Sequence, residues 1–167
     1  MIYNSLFLTG EEIYIQSFIN KNQKIHYNLD LDESSTWISA TPGEMARSTF
    51  FYLQEAGHFF CGPNFYTERE NLKSYLILFT ISGHGRLTYR EMEYDLVPGS
   101  VFFLKCEEFQ RYQTSGNDWE SLWIHFDGAV SSDYFFRFFE ACGKCVVTLS
   151  HPEPLREAME KIIELSR

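Results

Sequence analysis

Residues 119–128 read WESLWIHFDG. Two tryptophans, a histidine and two carboxylates in ten residues could serve three chemistries. Imidazole and carboxylate could hold a metal, imidazole beside an acid or nucleophile could move protons, and rings interleaved with polar groups could line a ligand cavity. The alternation of the run predicts a β-strand, whose successive side chains point to opposite faces. Trp119, Ser121, Trp123 and His125 then share one face, and Glu120, Leu122, Ile124 and Phe126 the other. The second face is mostly apolar and suits packing against helices or another sheet. The first is mixed and suits a cavity with a few placed polar groups. The run FQRYQT adds Gln110, Tyr112 and Thr114 by the same alternation.

Covalent catalysis finds no foothold in the residue pattern. A nucleophilic Ser or Cys needs a base held by a third group, and no nucleophile elbow or triad spacing occurs. The carboxylates of ERE and EMEY read as turn and solvent-facing charges. Cys61, Cys106, Cys142 and Cys145 read as reduced thiols. Cys142-Gly-Lys-Cys145 has the spacing of a redox or half-zinc motif, but it follows a helical pattern and has no second ligand pair.

Strand and turn signals supply the scaffold. From Ser48 to Phe126 the runs STFFYL, GHFFC, SYLILFTI, GRLTYR, EYDL, SVFFLK, FQRYQT and SLWIHF predict eight short strands of an antiparallel barrel or sandwich. Ser82-Gly83-His84-Gly85 predicts a tight hairpin, and Val97-Pro98-Gly99-Ser100 a second turn. Beyond Gly128 the period becomes helical. One helix is expected near 132–142, capped by Ser131 or Ser132, with a stripe of Tyr134, Phe135, Phe138, Phe139 and Cys142 and a stop at Gly143. Another is expected near 153–166, with Leu155, Ala158, Met159, Ile162 and Leu165 as its stripe. The second stripe still runs where the sequence stops, so the chain is expected to be part of a longer protein. Residues 1–47, closed by Pro42-Gly43, read as an N-terminal arm or extension, 48–128 as the barrel and 129–167 as a helical segment.

Composition sets the class. With 44% hydrophobic and 17% aromatic residues in 167, the chain can fill one sheet-rich core. Its net charge of −9 opposes contact with a polyanion. No basic leader and no apolar run of membrane-spanning length occurs, and a cytoplasmic location is expected.

The elements GHFFCGPNFYTERE, YLILFTISGHGRLTYREMEYDLVPGSVFF, FQRYQTSGNDWE and LWIHFDG, over 57–128, resemble the N-terminal effector-binding domain of AraC-type bacterial transcription regulators. The resemblance implies a mainly β fold, a cupin-like antiparallel β-barrel or jelly roll followed by two C-terminal helices. It implies an effector-binding, non-enzymatic domain that dimerises through its helices and controls a separate helix-turn-helix domain. No helix-turn-helix pattern occurs in these residues, so DNA contact is expected only through a C-terminal domain absent from this sequence.

Catalytic cupins hold a metal with a His-x-His pair, a Glu and a third His. Here the first of those regions contains only His84, and the second carries Gln110 where the pattern often has His; His26, His58 and His151 are scattered. No metal and no cofactor is expected. Arg69 matches the position from which family members project an arginine to an effector. The expected ligand-binding set is Arg69, Gln110, Tyr112, Ser121, Trp123 and His125, for a small polar effector such as a sugar or sugar derivative. The plainer alternatives are that Arg69 pairs with a nearby Glu and that Trp123 is core. Trp123→Ala is expected to abolish the ligand response and leave the domain folded. Leu155, Met159 and Ile162 are expected to meet across a two-fold homodimer. The competing function is a metal-poor cupin enzyme, a sugar isomerase or epimerase working by acid/base chemistry.

Overall fold

The computed structural model describes residues 23–167. Among them nine strands form one antiparallel sheet: β1 (Lys24–Asn28), β2 (Thr36–Ser39), β3 (Tyr52–Cys61), β4 (Tyr66–Glu70), β5 (Tyr75–Tyr89), β6 (Met92–Leu96), β7 (Ser100–Lys105), β8 (Gln110–Asp127) and β9 (Val146–Thr148). Helix α1 (Glu44–Thr49) precedes β3, α2 (Ser131–Cys142) follows β8, and α3 (Glu153–Leu165) follows β9. The fold is mainly β with two C-terminal helices, as expected, but the sheet does not close into a barrel.

The sheet also reaches outside the 48–128 span. β1 pairs with β4 and β2 with β3, while Ser48 and Thr49 belong to α1 and not to a strand. The first 22 residues of the expected arm lie outside the described residues.

Two long strands organise the rest. β8 pairs with β5 along most of its length, with β4 near its start and with β3 toward its end. The hairpin expected at residues 82–85 does not form, and β5 runs straight through it with pairing irregularities at Thr80/Ser82 and Gly83/Gly85. Gly83 takes a φ of 68°, and a Cβ on Gly85 would lie 2.6 Å from Cε2 of Trp119. These glycines bend a continuous strand past a tryptophan instead of reversing it. The reversal comes at Arg90-Glu91, two residues with φ of 51° and 62° joining Tyr89 to Met92. That is the backbone of a primed two-residue turn, which favours Asn-Gly.

Arg90 has a reason to stay in this turn. Its guanidinium makes two hydrogen bonds to Glu108, at 2.5 and 2.7 Å, and lies over the rings of Phe135 and Phe139. Glu91 is exposed. Glu91→Gly is therefore expected to raise the unfolding free energy by about 0.5 to 1 kcal/mol, the left-handed strain less the extra entropy of glycine. A lower denaturant midpoint in that variant would refute the turn assignment. The second expected turn forms as read: Gly99 has a φ of 85°, and Ser100 N–H bonds to Val97 C=O at 2.9 Å.

Each face of the sheet has its own core. On one side Phe59, Leu78, Leu87, Phe102, Trp119 and Trp123 pack together inside the curve of the sheet. On the other, Ala56, Phe79, Val101, Leu122 and Ile124 are covered by Met159 and Ile163 of α3, and Tyr75 and Phe103 by Phe135 of α2. Helix α2 ends at Gly143, whose φ of 67° lets its N–H bond back to Phe139 C=O at 2.8 Å. Its N-cap is Val130, so neither Ser131 nor Ser132 caps it. Ser131 is fully buried in the first turn.

Candidate functional site

The face expected to line a cavity does turn inward. Trp119, Ser121, Trp123 and His125 of β8 are all buried, and Trp119 and Trp123 belong to the interior core. Gln110 and Tyr112, from the start of β8, are buried too, at 0% and 5% exposure. Arg69 enters from β4, directly opposite Gln110 in the register of the two strands, and is partly buried. Arg69 Nη1 donates to His125 Nε2. The structure thus gathers Arg69, Gln110, Tyr112 and His125 around one point, with Trp123 beside His125 at 5.8 Å between rings and Ser121 deeper along the strand.

The hydrogen bonds fix how the histidine is protonated. An arginine can only donate, so His125 Nε2 accepts and Nδ1 carries the hydrogen. Nδ1–H then donates to Ser74 Oγ at 2.8 Å, and Ser74 O–H to Tyr75 C=O at 3.1 Å. Burial first, and the Arg69 charge second, hold the His125 pKa well below its usual 6.5. The imidazole is neutral and locked.

A pH dependence follows from this. Below pH 6.5 the unfolded chain takes up a proton at this histidine while the folded domain does not, so its stabilising contribution is full above 6.5 and lost as pH falls. Glu55, with a carboxyl pKa raised by burial against the opposing effects of Arg69, Ser39 and Trp37, works in the opposite sense above the usual carboxylate range. The comparison that isolates His125 is parent against His125→Gln. Their difference in unfolding free energy should fall by about 1 kcal/mol per pH unit between pH 6 and 5. A flat difference would mean that His125 is charged in the fold.

Five residues around the expected set, Trp37, Gly57, Phe59, Glu55 and Cys106, had not been expected at the site. Trp37 of β2, Gly57 of β3 and Trp123 of β8 are aligned side by side across the sheet. Gly57 has no side chain, and the two indoles meet over it at 5.9 Å and 79°; a Cβ there would sit 2.7 Å from Trp123 Cζ2. Phe59 closes on Trp123 at 4.9 Å. Glu55, in register with His125, brings a carboxylate into the same hollow. Cys106 Sγ lies 4.0 Å from His125 Nδ1, and burial pushes its thiol up to about 12. Glu55 was legible: once 52–61 is read as one strand, Glu55, Gly57, Phe59 and Cys61 fall on one face.

Several polar atoms here have no partner among the described residues: Trp123 Nε1, Gln110 Oε1 and Arg69 Nε. Unmet buried donors and acceptors are costly in a folded protein and mark positions where a ligand or water completes the set. Among the described residues no three His, Cys, Asp or Glu side chains converge in a way that could hold a metal ion.

The sequence model of the AraC-like ligand binding domain matches residues 52–166, more than half of the chain. The chain belongs to that family. Solved structures similar to this AraC-like ligand binding domain include the AraC-like transcriptional activator CuxR, at 14% identity over 65% of this chain and 42% of that one, with a TM-score of 0.49. Others are the protein YhaK from Escherichia coli (10% identity, 59% and 46% covered, TM-score 0.48) and a Cupin 2 conserved barrel domain protein from Salinispora arenicola (16%, 66% and 90%, 0.43). No curated protein matches the sequence.

Part of the helical face of this AraC-like domain is taken up by the chain's own sheet. Met159 is 2% exposed and Leu155 is partly buried, both against the chain's own sheet. The outer face of the sheet is apolar and must be covered, and α3 covers it with Leu155, Met159 and Ile163, spaced one turn apart. Of the three residues expected at a dimer contact, only Ile162 is exposed, at 40%. A separate cleft of about 590 Å³ lies between Asp30, Asp32, Ser34, Phe60, Trp119 and Glu120, and none of the expected binding residues lines it. Among the described residues no helix is long and apolar enough to cross a membrane.

Proposed function

We propose that this AraC-like ligand binding domain senses a small, hydroxyl-rich effector of the sugar class in the hollow around Arg69 and His125. Occupancy of the hollow would change how an attached helix-turn-helix domain is presented to DNA. The observation that carries the reading is the coincidence of aromatic walls and unpartnered buried polar atoms at one place. An indole face suits the C–H side of a sugar ring, while Arg69, Gln110 and Trp123 Nε1 offer the few placed polar contacts that give orientation. Ser121 and Tyr112 lie behind these as walls of the hollow, both buried.

Two features favour sensing over catalysis. The His125 ring has Arg69 on Nε2, where a triad base would meet its nucleophile, and Ser74 in place of a carboxylate on Nδ1, and the neighbouring Cys106 thiol is far from its nucleophilic form at neutral pH. The reading keeps a homodimer through α3, now using Ile162 with Leu165, which is 75% exposed. Its location would be the cytoplasm, where a DNA-bound regulator works.

A thermal-shift panel of neutral sugars and polyols tests the assignment. An effector at 100 times its Kd should stabilise the fold by about 2.7 kcal/mol and perturb the fluorescence of Trp37 and Trp123. Equal stabilisation of the Arg69→Met variant by the same compound would place the binding elsewhere.

A further inference from the structure

Arg69 and Glu55 bring opposite charges into one hollow without pairing. Neither makes an ion pair with any described residue. Arg69 spends one donor on the neutral His125, and Glu55 Oε1 accepts from Ser39 Oγ at a long 3.4 Å. Glu55 stands in register with His125, the residue that Arg69 bonds, so the field of each charge reaches the other. Between them the charges offset, and Arg69 Nε still lacks a partner among the described residues.

Resting on the reading of this hollow as the effector site, we propose that Glu55 is a specificity-determining residue: it offsets Arg69, so that the site takes uncharged polyhydroxylated molecules and rejects their carboxylate- and phosphate-bearing counterparts. An isolated arginine in a poorly solvated hollow is an anion receptor, because guanidinium matches carboxylate and phosphate in charge and in shape. A fixed carboxylate beside it removes that preference, since any incoming anion approaches Glu55 as well as Arg69.

The unpartnered atoms point the same way by an independent route. Trp123 Nε1 and Arg69 Nε are donors, whereas Gln110 Oε1 is an acceptor, and Gln110 and Trp123 are 0% and 4% exposed. A hydroxyl both donates and accepts, so one polyol can satisfy the mixed set. An ionised carboxylate group, or the dianionic phosphate of a monoester, only accepts, so placed against Gln110 Oε1 it leaves that acceptor unmet.

The test does not depend on knowing the natural effector. Acetate and inorganic phosphate are titrated by calorimetry and tryptophan fluorescence into the parent, Glu55→Gln, and Glu55→Gln/Arg69→Met, each checked by circular dichroism; Glu55→Ala replaces Glu55→Gln if the amide blocks the hollow or the fold. The parent is expected to bind neither anion through Arg69. Glu55→Gln should bind at least one of them at least tenfold more tightly, and the second substitution should abolish the gain. If the parent binds these anions as tightly as Glu55→Gln does, or if removing the carboxylate brings no gain, the role given to Glu55 is wrong. A parallel series pairs neutral aldoses with their aldonic and uronic acids. Arg69-dependent stabilisation of the parent by the acid member alone would overturn the selection by Glu55 and leave the effector site standing. If no compound binds any variant in an Arg69-dependent way, both the selection and the site are wrong.

Discussion

Replacing Trp123 by alanine is expected to lower the unfolding free energy of the domain by about 3 to 5 kcal/mol, the usual consequence of deleting a large buried aromatic side chain. The side chain is 4% exposed and meets Phe59, Trp37 and His125 at ring distances of 4.9, 5.9 and 5.8 Å. Gly57 leaves the space opposite open only because the indole fills it, and β-sheet backbone on both sides cannot close the void. A loss of this size is a large fraction of the stability of an ordinary domain. Trp123→Ala is therefore expected to report on packing as well as on ligand, because the indole belongs to the interior core. Trp123→Phe separates the two roles, since it keeps most of the packing and removes the unpartnered Nε1. Chemical denaturation of the alanine variant giving a loss below about 1 kcal/mol would show the indole to be a lid over the hollow and not part of its frame.

Arg69→Met should behave in the opposite way. Arg69 has one neutral acceptor and no ion pair among the described residues, so a partly buried cation is removed with little lost in the ligand-free protein. Unfolding free energy is expected to stay within about 1 kcal/mol of the parent, while affinity for the effector falls by about 100-fold, or about 2.7 kcal/mol, the worth of charge-assisted hydrogen bonds left unmade. Arg69→Lys should recover only part of this, because an ammonium lacks the planar fork. The plainer reading, in which Arg69 is a structural salt bridge, predicts the reverse pattern: a loss of stability on substitution and no loss of binding. Equilibrium unfolding alongside calorimetric titration distinguishes the two, and a destabilisation of several kcal/mol with unchanged affinity would end the functional assignment.

Period-two alternation in 119–126 was enough to sort an inward, mixed face from an outward, greasy one, and the clusters on the two sides of β8 follow that division. Both C-terminal helices are likewise where the 3.6-residue period puts them. Strand continuity was harder to read. The glycines at 83 and 85 look like a hairpin because glycine is tolerant of both reversals and bulges, and only the size of Trp119 on a strand far along the chain decides between them. The Arg90-Glu91 reversal was invisible for the complementary reason: its positive φ angles are held by tertiary bonds to Glu108 and α2, with no turn-forming residues to announce it. In the hollow, Arg69 and the β8 residues were found from pattern and resemblance. Trp37 escaped because its place depends on the pairing of β2 with β3, a long-range fact that no local window contains, whereas Glu55 follows from alternation once 52–61 is one strand. Of the expected dimer positions, Leu155 and Met159 face the chain's own sheet and Ile162 faces outward, because Ile163 takes the inward place one turn beyond Met159.

The alternation along β8 also bears on how an occupied hollow could be felt elsewhere. Leu122 and Ile124 lie beneath Met159 and Ile163 of α3, and between them Trp123 faces the other way into the hollow. Receiver and transmitter are adjacent links of one chain, separated by a single peptide unit and the thickness of one sheet. In the proposed reading a message from effector to helix would have no relay to cross, since the indole and the side chains under the helix hang on the same peptide planes. Such a wall acts like a drumhead, and its stiffness sets how much of each binding event is heard on the far side.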